Sequence, residues 1–249
     1  MSPIIDVRNV SMCFRKENEK TDTLKEFFVK LVQRRLRYTE FRALNEVSFS
    51  IQRGEAVALI GVNGSGKSTM LKLIAGVMDP TSGDVAVNGT IAPLIELGAG
   101  FDVDLTAREN IFLNGALLGH NRREMQKNFD KIVDFAELWD FLDAPIRSFS
   151  SGMIARLGFA IATEVKADIL VVDEILSVGD FNFAQKCHRR MEKMLADGTT
   201  LLFVSHNTDQ VKELCPRAIW LDHGNVMRDG AAAGVCDAYL DWMKQREEA

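Results

Sequence analysis

AVALIGVNGSGKSTMLKLIAGV, residues 56–77, decides the fold. It opens with a short apolar run, Ala56–Ile60, and closes with Met70, Leu71, Leu73 and Ile74 at helical spacing. Between them Gly61-Val62-Asn63-Gly64-Ser65-Gly66-Lys67-Ser68 matches GxxxxGK[ST] in full. A buried strand, a glycine loop and a helix are the context that a phosphate-binding loop needs. The glycines let the backbone curl so that several N–H groups point inward at phosphate oxygens. The helix start adds partial positive charge. Lys67 then reaches the β and γ phosphates as a point charge, Ser68 offers its hydroxyl to Mg²⁺, and Thr69 adds a contact to the α phosphate.

Two further strand ends carry chemistry. Ile169-Leu170-Val171-Val172 is an apolar run that ends in Asp173-Glu174. Asp173 is placed to hold Mg²⁺ through water. Glu174, one residue on, is the candidate base that orients and deprotonates an attacking water. Thr200–Val204 is another apolar strand, followed by Ser205 and His206. In a parallel sheet the strand ends converge on one edge. A histidine there can bond the γ phosphate and the water.

Outward from these runs, strands alternate with helices. The apolar pattern predicts helices over Lys67–Val77, Ser150–Val165 and Phe183–Leu195, and mostly helix from Arg108 to Asp143. The fold class is therefore α/β, with a parallel sheet covered on both faces. The helical block from about Thr106 to Lys166 interrupts the alternation and reads as a helical lobe. Strands are expected at Pro3–Val10 and Ala43–Ile51. A hairpin is expected from Ala218–Leu221 and Asn225–Arg228. The tail from Val235 reads as a charged surface helix.

The chain has 249 residues, a formal net charge of −5 and four cysteines without metal-type spacing. That balance argues against a general nucleic-acid binder. The cysteines suit a reduced compartment and read as small apolar filler. The N-terminus lacks a secretory pattern, and no run reaches 18 consecutive apolar residues. Thr21–Tyr38 stands apart. Leu24, Phe27, Phe28, Leu31, Val32 and Leu36 fall on one helical face, among Lys25, Lys30, Arg34, Arg35 and Arg37. It reads either as a helix lying on its own domain or as one touching a membrane partner or anionic headgroups.

Taken together, these residues resemble the ATPase subunits of ABC transporters over nearly the whole chain. Phe149-Ser150-Ser151-Gly152-Met153 looks like a divergent LSGGQ signature ahead of a helix, and Ser177-Val178-Gly179-Asp180 resembles the D-loop. The resemblance implies one ABC nucleotide-binding domain over 1–249: a RecA-like parallel core, an antiparallel β subdomain, a helical lobe and an inserted helix. It also implies that two copies sandwich two ATP molecules with Mg²⁺, Ser150, Ser151, Gly152 and Asp180 acting across the dimer. Phe14 fits the aromatic that stacks on adenine, with Tyr38 and Phe41 as rivals. Glu96 stands where the family has a glutamine; a carboxylate can ligate Mg²⁺ but repels the γ phosphate. Met153 replaces a polar residue and is expected to pack rather than hydrogen-bond.

Glu96–Phe101, Thr106–Ile111, Phe149–Met153 and Val178–Asp180 together look like bacterial polysaccharide exporters. That likeness implies a homodimeric motor bound to an integral membrane permease dimer, peripheral on the cytoplasmic face of the inner membrane. Its cargo would be a lipid-linked glycan: O-antigen, capsule or teichoic acid. A C-terminal carbohydrate-binding domain is not expected. Two other readings stay open: the motor of another ABC exporter or importer, and a soluble ABC ATPase of translation or DNA repair.

Overall fold

The computed structural model describes residues 2–17, 38–94, 97–164, 167–173 and 181–247. The expected helix at Thr21–Tyr38 lies outside the described residues except for Tyr38, which begins a strand. Nine strands are described: β1 (Ile5–Glu17), β2 (Tyr38–Ile51), β3 (Ala56–Ile60), β4 (Ser82–Val87), β5 (Ile91–Leu94), β6 (Ile169–Val172), β7 (Thr200–Val204), β8 (Arg217–Asp222) and β9 (Asn225–Ala231). Seven described helices join them: α1 (Lys67–Ile74), α2 (Ala107–Leu117), α3 (Arg122–Ala136), α4 (Ser151–Glu164), α5 (Phe181–Ala196), α6 (Thr208–Leu214) and α7 (Ala232–Glu247).

The central sheet runs β5-β6-β7-β3-β8-β9, and only β9 is antiparallel to its neighbour. The unbroken apolar runs of β3, β6 and β7 have a simple cause. Successive side chains point to opposite faces, and both faces are covered. Ala56, Ala58 and Ile60 join one core with Leu170, Val172, Leu201 and Phe203, beneath α2 to α7. Val57 and Leu59 join a second core with Ile169, Val171, Leu202 and Val204, beneath α1 and the strands β1 and β2. Full burial of one such aliphatic side chain stabilises by about 1.5–3 kcal/mol, so a polar residue is poorly tolerated on either face.

The second sheet, β2-β1-β4, is antiparallel throughout. Its long pair β1–β2 carries register shifts between Val10 and Cys13. Cys13 opposes Arg42 and Met12 opposes Leu44, so Ala43 is the extra residue of a bulge. A bulge re-aims the backbone; here the Ala43 carbonyl faces Gly66 and Gly224.

The helical block holds three helices. α2 and α3 are separate, and short 3₁₀ turns at Trp139–Phe141 and Ile146–Ser148 lead to α4. The buried Asn110 side chain ties the preceding loop down: its amide donates to the carbonyls of Asp102 (2.9 Å) and Thr106 (2.9 Å) and accepts from the Asp102 N–H (2.8 Å). α4 lies close on the turn after β5. A Cβ at Gly158 would stand 2.9 Å from the Gly98 nitrogen, and one at Gly98 (φ +89) would collide with Ile154.

The C-terminal helix departs from the expected surface helix. Val235, Cys236 and Tyr239 are buried, and Trp220 of β8 packs edge-on against Tyr239 (5.6 Å) and Trp242 (5.3 Å). Its charges hid an apolar stripe. Cys187, Cys215 and Cys236 are buried as filler, and burial pushes the Cys187 and Cys215 thiols up to about 12.

Candidate active site

The loop after β3 turns back on itself through the Ser65 N–H, which donates to the Val62 carbonyl (3.1 Å). Gly66 then starts α1 in a left-handed conformation, φ 107, with no side-chain cap. The position tolerates only glycine: a Cβ there would lie 2.6 Å from the Ala43 carbonyl oxygen, and φ is unfavourable for other residues. From below, the loop is braced by the β8–β9 turn. The Gly224 N–H donates to the Ser65 carbonyl (3.0 Å), and the Asn45 N–H donates to the Gly224 carbonyl (2.8 Å).

A cleft of about 370 Å³ opens above the loop. Asn63, Gly64, Gly66, Lys67, Ser68 and Thr69 line it from the loop and the first turn of α1. Asp173, just beyond β6, and Val204, the last residue of β7, line it from the strand ends. The parallel register explains this convergence, since Leu59 pairs with Val204 and Val172 with Phe203. Lys67 is 8% exposed, and its ammonium donates to the carbonyls of Gly61 (2.7 Å) and Val62 (2.9 Å). Those two anchors hold the charge over the loop.

Gly61 and Ser65 do not line the cleft. Ser65 is fully buried beneath the loop, and its hydroxyl has no hydrogen-bond partner; what it adds to the site comes through its backbone. His206 stands two residues beyond β7 and is exposed. Phe14 and Phe41, from β1 and β2, also line the cleft. Tyr38 pairs with Glu17, three ladder positions further out.

Ser68 and Asp173 bring one hydroxyl and one carboxylate to the cleft. Among the described residues no group of three or more His, Cys, Asp or Glu could hold a metal. Few protein oxygens, with waters and phosphates completing the shell, is the donor set that Mg²⁺ takes. The residues present fit that ion.

Ser150 caps α4: its hydroxyl accepts from the Met153 N–H at 3.2 Å. Ser150 and Ser151 are exposed and Gly152 half-buried, and none of the three lines the cleft. Met153 packs against the core, as expected of its side chain. Glu96, Glu174 and Asp180 lie outside the described residues.

Sequence reading gave Phe41 only as a rival to Phe14 and did not name Ala43 or Val204 as lining residues. The register of β2 against β1 places Phe41 opposite Phe14, and nothing local in the sequence sets that register. The apolar run of β7 did signal Val204 as a strand end.

A glycine loop between a buried parallel strand and a helix, with an acidic residue beyond β6, two strands along the same sheet, defines a P-loop nucleotide-binding protein. Solved structures agree on the fold. A dimeric ATP-binding cassette, MJ0796, bound to ADP and Pi superposes with a TM-score of 0.73 at 23% identity, covering 92% of this chain and 98% of the other. An ATP-binding subunit of an ABC transporter gives 0.75 at 23% identity, covering 95% and 93%. Residues 44–177 match the ABC transporter family. The chain is 42% identical to an O-antigen export system ATP-binding protein, RfbB, of Klebsiella pneumoniae, over 98% of this chain and 100% of that one. It is also 42% identical to a teichoic acids export ATP-binding protein, TagH, of Listeria innocua, over 96% of this chain and 70% of that one. The chain belongs to the ABC transporter family and is an ATPase of that family.

Proposed function

We propose that this chain is the ATP-hydrolysing subunit of an exporter that moves a lipid-linked polysaccharide across the bacterial inner membrane, working as a homodimer on the cytoplasmic face. The observation that carries the ATPase half is the cleft itself, where Lys67, Ser68 and Asp173 converge beneath one sheet edge. Lys67 binds the β and γ phosphates, the N–H groups of the loop and of the α1 start cradle them, and Ser68 with Asp173 holds Mg²⁺. The ion, when bound, neutralises the charge that develops on the γ phosphate. Glu174 takes the proton of the attacking water, and His206 bonds the γ phosphate.

The dimer is supported by what the cleft lacks on one chain: Ser150, Ser151 and Gly152 cap a helix elsewhere on the surface. A second copy brings that helix start to the γ phosphate, with Asp180 at the interface. Binding of ATP then favours the closed pair, and hydrolysis releases it. Coupling to a permease is supported by an apolar groove of about 320 Å³, lined by Pro93, Leu97, Ala99, Leu117 and Val77. Val77 is 70% and Leu117 65% exposed. Among the described residues no helix is long and apolar enough to cross a membrane. The glycan cargo is supported by the two relatives' names.

Replacing the native gene with a Glu174→Gln form tests the whole reading. Lipid-linked glycan accumulating inside, with surface polysaccharide lost, is the expected outcome. Normal surface glycan would sink the export role and leave an ABC motor whose partner co-purification must find.

A further inference from the structure

The β1–β2 ladder opens at Asn45. Val10 opposes Val47 and Met12 opposes Leu44, so Ser11 alone faces both Asn45 and Glu46. A bulge of this kind releases a residue from the ladder and re-aims it. Asn45 is aimed at the β8–β9 turn. Asp222 pairs with Asn225, which leaves only His223 and Gly224 in the turn. Both have positive φ, 44 and 77, as a type I′ turn requires. The Asn45 N–H donates to the Gly224 carbonyl (2.8 Å), and the Asn45 side-chain amide donates to the side-chain carbonyl of Asn225 (2.9 Å). Arg42 donates to the Asn45 Oδ1 (2.8 Å), which fixes the way the amide points. The Asn225 amide closes the turn on the His223 carbonyl (3.0 Å). The turn then holds the phosphate loop, because the Gly224 N–H donates to the Ser65 carbonyl (3.0 Å), one residue before Gly66 opens α1. Neither Asn45 nor Asn225 lines the cleft, so both act on it through the loop.

We propose that the Asn45 side chain is a positioning residue for the polyphosphate. By pinning the β8–β9 turn under Ser65, it keeps the N–H groups of the loop converged before any anion arrives. This rests on reading the cleft as the triphosphate site. Gly64 and Gly66 make the loop intrinsically free, and fixing such backbone costs entropy. A brace that fixes it in advance removes that cost from binding. The brace touches the phosphate end only, so it serves any polyphosphate, with or without a nucleoside.

The test is equilibrium displacement of a ribose-labelled fluorescent ATP from the purified chain by ATP and by inorganic tripolyphosphate. The melting temperature is recorded without nucleotide. Asn45→Ala weakens both ligands equally, by about two- to tenfold, the range of one net hydrogen bond. Asn225→Ala, which removes the acceptor, also weakens both. The double variant binds no more weakly than Asn225→Ala alone, because the two residues act through one bond. Arg53→Ala is the control. It cuts the ion pair with Asp168 at the other end of the strands, ahead of β3 and β6, and leaves both displacement constants unchanged whatever it does to the melting temperature. Unchanged tripolyphosphate affinity in Asn45→Ala overturns the proposal, even with a lower melting temperature, and would make Asn45 a support of the fold only. Additive losses in the double variant overturn it as well. So does equal weakening in Arg53→Ala, which would trace the loss to general destabilisation. Lys67→Ala separates the two levels. If it binds tripolyphosphate as tightly as the native chain does, the cleft is not the triphosphate site, whatever Asn45 does.

Discussion

α1 and α2 begin in opposite ways. α2 starts with a complete capping box: the Thr106 hydroxyl accepts from the Glu109 N–H (3.2 Å), and the Glu109 carboxylate accepts from the Thr106 N–H (2.8 Å). α3 repeats the device with Asn121 and Glu124, both bonds at 3.0 Å. α1 starts at Gly66 with no side-chain cap and no acidic residue in its first turn. Every helix start leaves N–H donors without helical partners. Where the helix only builds the lobe, the chain satisfies those donors itself. Where the helix faces the cleft, side chains stay away and the donors are left to an anion.

The contrast is sharpest in turnover. Glu174→Gln keeps ATP binding but lowers steady-state hydrolysis by about a hundredfold or more, the range for a lost general base; normal turnover would remove Glu174 from that role. Next is Lys67→Ala, which weakens ATP binding by more than about tenfold, the loss of a charge-assisted contact, with an unchanged melting temperature without nucleotide. A lower melting temperature there would mean that the α1 start serves stability as the α2 start does. Conversely, Thr106→Ala lowers unfolding stability by about 1 kcal/mol, read by urea titration, and leaves the KM for ATP alone. A raised KM would erase the distinction between the two helix starts.

The smallest effect is on pH. The Thr106 N–H, and then the Thr106 hydroxyl, hold the Glu109 carboxyl below its usual range. A depressed carboxyl stabilises the fold above its unfolded pKa and loses that contribution as pH falls through the folded value. Unfolding titrations below about pH 4.5 should therefore show a slightly gentler acid loss for Thr106→Ala than for the native chain, since the reference glutamate titrates near there. An identical slope would assign no linkage to the Thr106 hydroxyl, since the substitution leaves the Thr106 N–H in place.

The same box shows what a sequence pattern carries and what only the structure adds. Thr106-Ala107-Arg108-Glu109-Asn110-Ile111 first drew notice as a family pattern. In the structure its polar residues cap α2 and tie down the loop from Asp102, so its local work is architectural. The buried strands Ala56–Ile60, Ile169–Val172 and Thr200–Val204 were legible to the residue, because burial on both faces leaves no polar interruption. β1 and β2 were not. They run on through RKE and YTEFR, polar stretches that pair with each other but carry no apolar alternation to mark a strand. That is why Phe41 stood only as a rival to Phe14, when register makes the two neighbours. The phosphate loop was readable because its glycines report backbone geometry directly. The bulge at Ala43 that receives Gly66 left no local mark.

The meeting of Gly98 with α4 has a mechanical consequence. With the Gly158 backbone against Gly98, and the Ile154 side chain against Gly98 from one turn earlier, the two parts mesh like a tooth in a rack, with no room for even a methyl group between them. α4 has 14 residues, so at 1.5 Å per residue it is a rod of about 21 Å gripped near its middle. Any tilt applied at that grip swings its Ser151 end through an arc about 10 Å in radius. A tilt of about 6° at that grip, on an arm of about 10 Å, carries the Ser151 end through about one ångström.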